Sequence, residues 1–205
     1  MAERTWIRSY FAPLARAPGA ANLTDDTAEL SLSGDRVVVT TDAIVEGVHF
    51  LGSDPIETVA RKLVRVNVSD ILASGAVPSE ALLTLGWPAA RPEADLAAFA
   101  AALGEELEVW GASLIGGDTV SSPGGLFLSM TLTGRCAGPA PVRRGGAGVG
   151  DDVWVTGEIG AARRGFIARA AGAENAWTDA LRMPRLPPLA AAQLVAEAAT
   201  AAMDV

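Results

Sequence analysis

The stretch Val37-Val38-Val39-Thr40-Thr41-Asp42 carries a strand pattern that ends in a carboxylate. Its β-branched run follows the turn at Gly34-Asp35 and predicts a buried strand over 37–40. Asp42 then stands at the predicted carboxyl end of that strand. Because an isolated ionised carboxylate is costly to bury, we expect Asp42 to lie at a surface or beside a cation.

The next segment predicts a helix that buries an apolar face. Ser53-Asp54-Pro55 is a start signal, because a capping side chain precedes a proline suited to the first turn. Apolar residues then recur at three- and four-residue steps until Gly75, where the helix should stop. Asp70 falls on the same face, and a mid-helix aspartate that faces a core must meet a partner.

Strands and helices interleave along the rest of the chain, which indicates an α/β or α+β class. We take an α+β fold with an α/β-type mixed sheet as the prediction. Further strands are predicted at 80–85, 112–115, 126–133 and 153–156, and further helices at 4–16, from Pro92 onward, at 160–172 and at 189–202. The helix that opens at Pro92 should direct its acidic residues to solvent, namely Glu93, Asp95, Glu105, Glu106 and Glu108.

Composition narrows the class of protein. Half of the 205 residues are hydrophobic and 20% are charged, so a packed core is expected. The net charge of -8 argues against a general nucleic-acid binder. The single cysteine, Cys136, leaves no intrachain disulfide and no thiolate zinc cluster. No signal peptide or membrane-spanning stretch is visible, so we expect a cytoplasmic protein without a membrane partner.

Five short clusters carry the chemistry of the sequence. Four set a carboxylate beside a hydroxyl or glycine and the fifth is a pair of arginines; they are Thr24-Asp25-Asp26-Thr27, Thr40-Thr41-Asp42, Ser69-Asp70, Gly116-Gly117-Asp118-Thr119 and Arg143-Arg144-Gly145. Each alone has an ordinary explanation as a turn, a strand end or a solvated basic pair. Neither common phosphate-loop motif is present. Together, however, they offer hard oxygen ligands for Mg²⁺ and phosphate contacts from arginine and glycine amides.

Four longer motifs carry a resemblance to a known family. They are TTDAIVEGVHF at 40–50, VNVSDILASGAVP at 66–78, LIGGDT at 114–119 and RRGGAGVGDDVWVTGEIG at 143–160. In this order they resemble the thiamine-monophosphate kinases, which belong to an ATP-binding superfamily that includes aminoimidazole ribonucleotide synthetase and selenophosphate synthetase. The resemblance runs from about residue 5 to the last residue. One departure is Thr24, where the family commonly has glycine.

The resemblance implies a set of site residues and no catalytic side chain beyond positioning and metal binding. The implied Mg²⁺ ligands are Asp26, Thr40, Thr41, Asp42, Asp70, Asp118 and Asp204. Gly117 and Asp118 would contact ATP, and Arg144 a phosphate oxygen. His49, the only histidine, would face thiamine monophosphate.

The same resemblance implies a domain organisation. An ATP- and Mg-binding dimerisation domain would occupy residues 1–138, followed by a linker at 139–150 and an incomplete C-terminal substrate domain at 151–205. The chain ends at Val205, just before the family's Ser-Asp-Gly motif, so we expect only the opening elements of the second α+β domain. The sheet of the first domain would pair with a partner subunit in a homodimer.

The implied reaction is phosphorylation of thiamine monophosphate by ATP, giving thiamine diphosphate, through Mg-assisted in-line transfer. The acceptor is an already ionised phosphate oxygen, so positioning and charge neutralisation would suffice. Two alternatives stay open. One is a truncated, catalytically inactive fragment that dimerises and binds nucleotide. The other is a sister ATP-dependent synthetase with a different acceptor, which the missing N-terminal cysteine or selenocysteine loop disfavours for selenophosphate synthetase.

Overall fold

A computed structural model describes the backbone of residues 24–25, 28–31 and 36–205. The predicted helix at 4–16 and the candidate ligand Asp26 lie outside the described residues. Five strands are assigned within these ranges: β1 Ala28–Ser31, β2 Arg36–Val45, β3 Ala76–Pro88, β4 Ser113–Ser122 and β5 Phe127–Cys136. Five α-helices accompany them: α1 Ile56–Ala73, α2 Glu93–Val109, α3 Ala161–Ala170, α4 Ala176–Arg182 and α5 Ala190–Ala198.

The five strands form one mixed sheet in the order β1-β2-β5-β3-β4. Pairing is antiparallel except between β3 and β4, which run parallel and are connected through helix α2. A parallel pair needs such a crossover, because its second strand must start again at the same end of the sheet. The mixed sheet with separate helices confirms the predicted α+β fold class.

One face of the sheet packs against α1, and this layer forms the core. The central strand β5 alternates as predicted, with Leu128, Met130 and Leu132 fully buried and the residues between them more exposed. Leu63 and Ile71 of α1 are also fully buried. Burying a side chain of this size contributes about 1.5–3 kcal/mol, so this layer supplies much of the driving force for folding.

Two strands are longer than the sequence predicts. β2 runs on to Val45, so Asp42 lies inside the strand and not at its carboxyl end. The prediction was wrong because residues 43–45 pair with residues 127–129 of β5, a contact that is distant in sequence. Likewise β3 covers Ala76–Pro88 and not only 80–85.

Strand β4 differs most from its prediction. The sequence predicted a short buried strand at 112–115 that leads into Gly116-Gly117-Asp118, but this triplet lies within the strand Ser113–Ser122, which is an exposed sheet edge. Gly117 has a φ of 151°, and a Cβ there would lie 1.8 Å from the carbonyl oxygen of Leu83. Only glycine permits the backbone of β4 to approach β3 this closely.

The helices mostly follow their predicted limits. α1 ends where Gly75 adopts a φ of 68°, and α2 begins directly after Pro92. The helix predicted at 160–172 is confirmed as α3, whereas the last helix ends at Ala198 and not at 202. None of the described helices is both long and apolar enough to cross a membrane. The cytoplasmic location stays a prediction.

The strand predicted at 153–156 is wrong. No strand is assigned to these residues, and Val153 and Trp154 are 92% and 88% exposed. Strand propensity does not suffice where a segment pairs with no neighbouring strand, because the ladder hydrogen bonds and the packing are then missing. Helix α4 was not predicted, although Asn175 and Thr178 form a capping box that marks its start.

Glu106 does not face solvent as predicted. It is 3% exposed, because α1 packs against α2 at this turn and covers it. Its Oε1 accepts hydrogen bonds from Arg65 Nε at 2.7 Å and from Trp110 Nε1 at 2.8 Å. Arg65 also donates to the carbonyl oxygen of Pro184 at 3.1 Å. The buried carboxylate is therefore compensated by a guanidinium that also holds the later part of the chain.

We expect Glu106→Ala to lower the free energy of unfolding by about 3 kcal/mol, because it leaves a largely buried arginine without its counter-charge. Glu105→Ala is the matched control, since Glu105 pairs with Arg61 at 2.9 Å but its side chain is 68% exposed. That pair should contribute less than about 1 kcal/mol. Urea denaturation of both variants measures the difference, and equal losses would contradict the assignment.

Candidate functional site

The contact between α1 and β2 contains a buried carboxylate. Thr40 Oγ1 donates to Asp70 Oδ2 at 2.6 Å, and the two residues are 5% and 6% exposed. Asp70 therefore has the hydrogen-bond partner that is expected for a carboxyl group on the apolar face of a helix. This short hydrogen bond fixes the orientation of both side chains at the contact.

Asn67, one helical turn before Asp70, makes a second link to the same strand. Its Oδ1 accepts from the backbone N–H of Asp42 at 3.1 Å, and its Nδ2 donates to the carbonyl oxygen of Leu63 at 2.9 Å. The side chain is completely buried. Sequence reasoning missed Asn67, although its spacing of three from Asp70 on an apolar helix face was a readable signal.

The threonines and the aspartate of the Thr40-Thr41-Asp42 cluster are divided between the two faces of the sheet. Thr40 and Asp42 are two residues apart, so both lie on the face covered by α1. Thr41 lies on the opposite face, where its Oγ1 donates to the Met130 carbonyl oxygen and accepts from Thr131 Oγ1, each at 3.1 Å. Thr40, Asp42 and Asp70 are thus brought together, and Thr41 is not.

Asp118 lies on the edge strand, away from this group. The register pairs it with Thr84, Thr84 with Ser129, and Ser129 with Ala43. It is therefore one row from Asp42, three strand spacings or about 14 Å away, on the face opposite α1. Asp118 is exposed, and its Oδ1 accepts from the N–H of Thr119 at 2.9 Å.

The predicted phosphate and C-terminal residues lie further along the chain. Arg144 begins a single 3-10 turn at Arg144–Gly146, and Asp204 is half-buried near the last residue. The neighbouring Arg143 lies 3.5 Å from Asp25 through its Nη1, and its carbonyl oxygen accepts from Ala202 N–H at 3.4 Å. This loop therefore approaches both the first acidic cluster and the C-terminal segment.

His49 occupies the turn after β2. Its Nδ1 accepts from the Val45 N–H at 3.1 Å, and its carbonyl oxygen accepts from Lys62 Nζ at 2.7 Å. A small pocket beside it is lined by Phe50, Asp54, Lys62 and Arg182, among others. Burial lowers the pKa of Lys62 from its ordinary value, and the nearby carboxylate of Asp54 partly opposes this shift.

Asp54 ties this turn to the later helices. Its Oδ2 accepts from the Leu51 N–H at 2.8 Å, and its Oδ1 accepts from Arg169 Nη2 and Arg182 Nε, both at 2.9 Å. Both arginines also bind Glu174. The hydrogen bond from Arg182 lowers the pKa of Glu174 and raises that of Arg182 itself. The four side chains hold α3 and α4 against the start of α1.

The donor set at the α1–β2 contact suits a hard cation. Within residues 24–25 and 36–205, no three histidine, cysteine, aspartate or glutamate side chains form a group that could hold a metal by themselves. Mg²⁺ at nucleotide sites, however, usually takes only one or two carboxylates and completes its shell with phosphates and waters. Asp42 and Asp70 therefore fit a magnesium site of that shared kind.

Comparison with known proteins bears on this geometry. The family described as AIR synthase related protein, N-terminal domain, matches residues 24–136. A thiamine-monophosphate kinase of Caulobacter vibrioides is 39% identical over 183 residues, which is 88% of this chain and 52% of that protein. One from Aquifex aeolicus is 35% identical over 142 residues, or 69% of this chain and 45% of that protein.

Solved structures agree in fold. A structure described as AaThiL complexed with AMPPCP and TMP has a TM-score of 0.80 and 30% identity, and the match covers 86% of this chain and 58% of that one. The thiamine-monophosphate kinase of Stenotrophomonas maltophilia has a TM-score of 0.68 and 28% identity, covering 91% and 64%. The chain thus spans about half the length of the curated relatives that it matches.

The chain belongs to the family of AIR synthase related proteins, since the family model matches more than half of it. Within that family its similarity is to the thiamine-monophosphate kinases, which confirms the resemblance carried by the four sequence motifs. The division into domains at 1–138, 139–150 and 151–205 stays a prediction.

The single lysine of the chain allows its environment to be tested directly. We expect Lys62, observed by lysine-selective isotope labelling and NMR, to titrate below its ordinary pKa of 10.5, because burial disfavours its charged form. Between that lowered pKa and the unfolded value, the unfolded chain binds more protons, so stability should rise with pH. Lys62→Met should remove this rise, and titration of Lys62 at or above 10.5 would contradict the expected effect of burial.

Proposed function

We propose that the protein catalyses ATP-dependent phosphorylation of thiamine monophosphate to thiamine diphosphate. The observation that carries the proposal is the buried contact that holds Asp70 and the Asp42 backbone together on α1 and β2. The similarity to kinases of this name, and to a structure complexed with AMPPCP and TMP, supports the choice of substrates. ATP is the proposed co-substrate.

In this proposal Asp42 and Asp70 hold Mg²⁺, with Thr40 ordering the Asp70 carboxylate. The metal would neutralise charge on the phosphates during in-line transfer. Asp118 on the edge strand, Asp26 and Asp204 are proposed as ligands of further Mg²⁺ ions, and Thr41 is the weakest candidate because it faces away from Asp42. The acceptor phosphate is already ionised, so the chain needs to orient two anions and has no need of a strong base.

Nucleotide and substrate contacts are proposed for three other residues. Gly117 is proposed as a nucleotide contact through its backbone, because the place of a side chain there is taken by the carbonyl oxygen of Leu83. Arg144 supplies a guanidinium for a phosphate oxygen. His49 lies in the turn that directly follows the β2 strand of Asp42, and it would contact thiamine monophosphate.

We expect Asp42→Asn and Asp70→Asn each to weaken Mg-dependent nucleotide binding by at least about 100-fold, since even outer-shell changes at metal sites cost about 10- to 100-fold. Calorimetry with Mg²⁺ and a non-hydrolysable ATP analogue measures the effect. Asp95→Asn on α2, whose side chain is 40% exposed, is the matched control and should bind normally. Wild-type affinity in both site variants would rule out this metal assignment.

A second candidate function is a dimerising nucleotide-binding module without turnover; the match covers about half the length of the relatives, so their activity does not come to this chain with the match alone. Binding and catalysis are therefore measured separately on the 205-residue chain. Phosphoryl transfer to thiamine monophosphate supports the kinase, and nucleotide binding without transfer supports the module. Preference for an aminoimidazole precursor as the second substrate would instead indicate a sister synthetase.

A homodimer through the sheet is part of the proposal. The sheet face opposite α1 carries Leu82, Val120 and Phe127, which are 44%, 48% and 39% exposed, alongside the hydroxyl row of Thr41 and Thr131. Apolar side chains of this size in one sheet face mark an interaction surface. A second copy of the same face is the proposed occupant, because a two-fold contact uses the same surface on both subunits and would cover the exposed apolar residues of both at once.

We expect Leu82→Arg to shift the protein from dimer to monomer in sedimentation equilibrium, because it would bury an unpaired charge on each side of the interface. Val109→Arg is the control, since Val109 is 64% exposed but lies at the end of α2, on the other side of the sheet. It should leave the dimer intact. A monomeric wild-type protein, or an unaffected Leu82→Arg dimer, would contradict this interface.

A further inference from the structure

We infer that Asn67 is a positioning residue for the proposed magnesium site, acting through the backbone of Asp42; the inference rests on the proposed function. Strand β1, as described, pairs only with residues 36–39 of β2. Among the described residues, that ladder does not extend along β2 beyond Val39. The N–H of Asp42 finds its acceptor in the Asn67 side chain of α1 instead.

The Asn67 amide is fixed in one orientation by two different bonds. Its oxygen accepts from Asp42 N–H, and its nitrogen donates to the Leu63 carbonyl oxygen. A flipped amide would set donor against donor and acceptor against acceptor, so it would lose both bonds. Because the group is completely buried, water does not replace a lost partner cheaply.

Asn67 and Asp70 together attach one helix to one strand at two points. Asp70 holds the side chain of Thr40, and Asn67 holds the backbone of Asp42 two residues later. The two bonds fix the position of β2 along α1 and the angle between the strand and the helix. The Asp42 carboxylate projects from a backbone that cannot rotate freely, and its distance from Asp70 is set before any ligand arrives.

The test replaces Asn67 with leucine, which has a similar shape. Asn67→Leu keeps the branched outline but removes both the acceptor for the Asp42 N–H and the donor to the Leu63 carbonyl oxygen. We expect hydrogen exchange in metal-free protein to accelerate at residues 40–45 in Asn67→Leu, relative to residues 127–132. Val68→Ala, also fully buried, controls for general loss of stability and should show no such preference.

The second readout is the Mg²⁺ concentration needed for half-maximal binding of the ATP analogue. It should rise about 10-fold in Asn67→Leu, as for other residues that orient a metal ligand, and stay unchanged in Val68→Ala. Unchanged exchange at 40–45, or unchanged Mg²⁺ dependence in Asn67→Leu while Asp42→Asn shifts it, overturns the inference alone. If Asp42→Asn also leaves the Mg²⁺ dependence unchanged, the proposed metal site itself is wrong.

Discussion

The contact of α1 with β2 is the constraint on which the rest of the site depends. A helix advances about 4.5 Å over three residues, whereas a strand advances about 6.7 Å over two. The spacing from Asn67 to Asp70 therefore does not match the spacing from Thr40 to Asp42. The mismatch is absorbed because Asp70 bonds to a threonine side chain, while Asn67 bonds to the backbone at Asp42. Polar groups in an apolar layer are tolerated here because each has its partner.

The parts of the site that depend on local periodicity could be predicted from the sequence. The three- and four-residue spacing in α1 placed Asp70 on the buried face, and the structure has it there. The limits of β2 and the edge position of β4 depend on pairing with β5 and β3, which no local pattern reveals. Glu106 was misassigned for a similar reason, since only the packing of α1 on α2 brings Arg65 to it. Asp26 lies outside the described residues and stays a prediction.

A second polar network explains how the later helices relate to the site. Asp54 receives both Arg169 and Arg182, and it also holds the Leu51 N–H, two residues after His49. Arg65 makes a separate bond to the carbonyl oxygen of Pro184. Because α1 carries Arg65 as well as Asn67 and Asp70, this helix connects the buried carboxylate of Asp70 to the segment beyond residue 160. A shift of α3 and α4 would therefore move Asp54 and, through its bond to Leu51, the turn that contains His49.

The separation of Asp42 and Asp118 limits how metal ions can be held. Oxygen ligands of one Mg²⁺ lie about 2.1 Å from the ion, so two of them are at most about 4.2 Å apart. The backbones of Asp42 and Asp118 are separated by three strand spacings, about 14 Å, and their side chains leave opposite faces of the sheet. Two short aspartate side chains do not close such a gap. Asp42 and Asp118 therefore cannot share one Mg²⁺, and an ion held by Asp118 would be separate from the one held by Asp42 and Asp70.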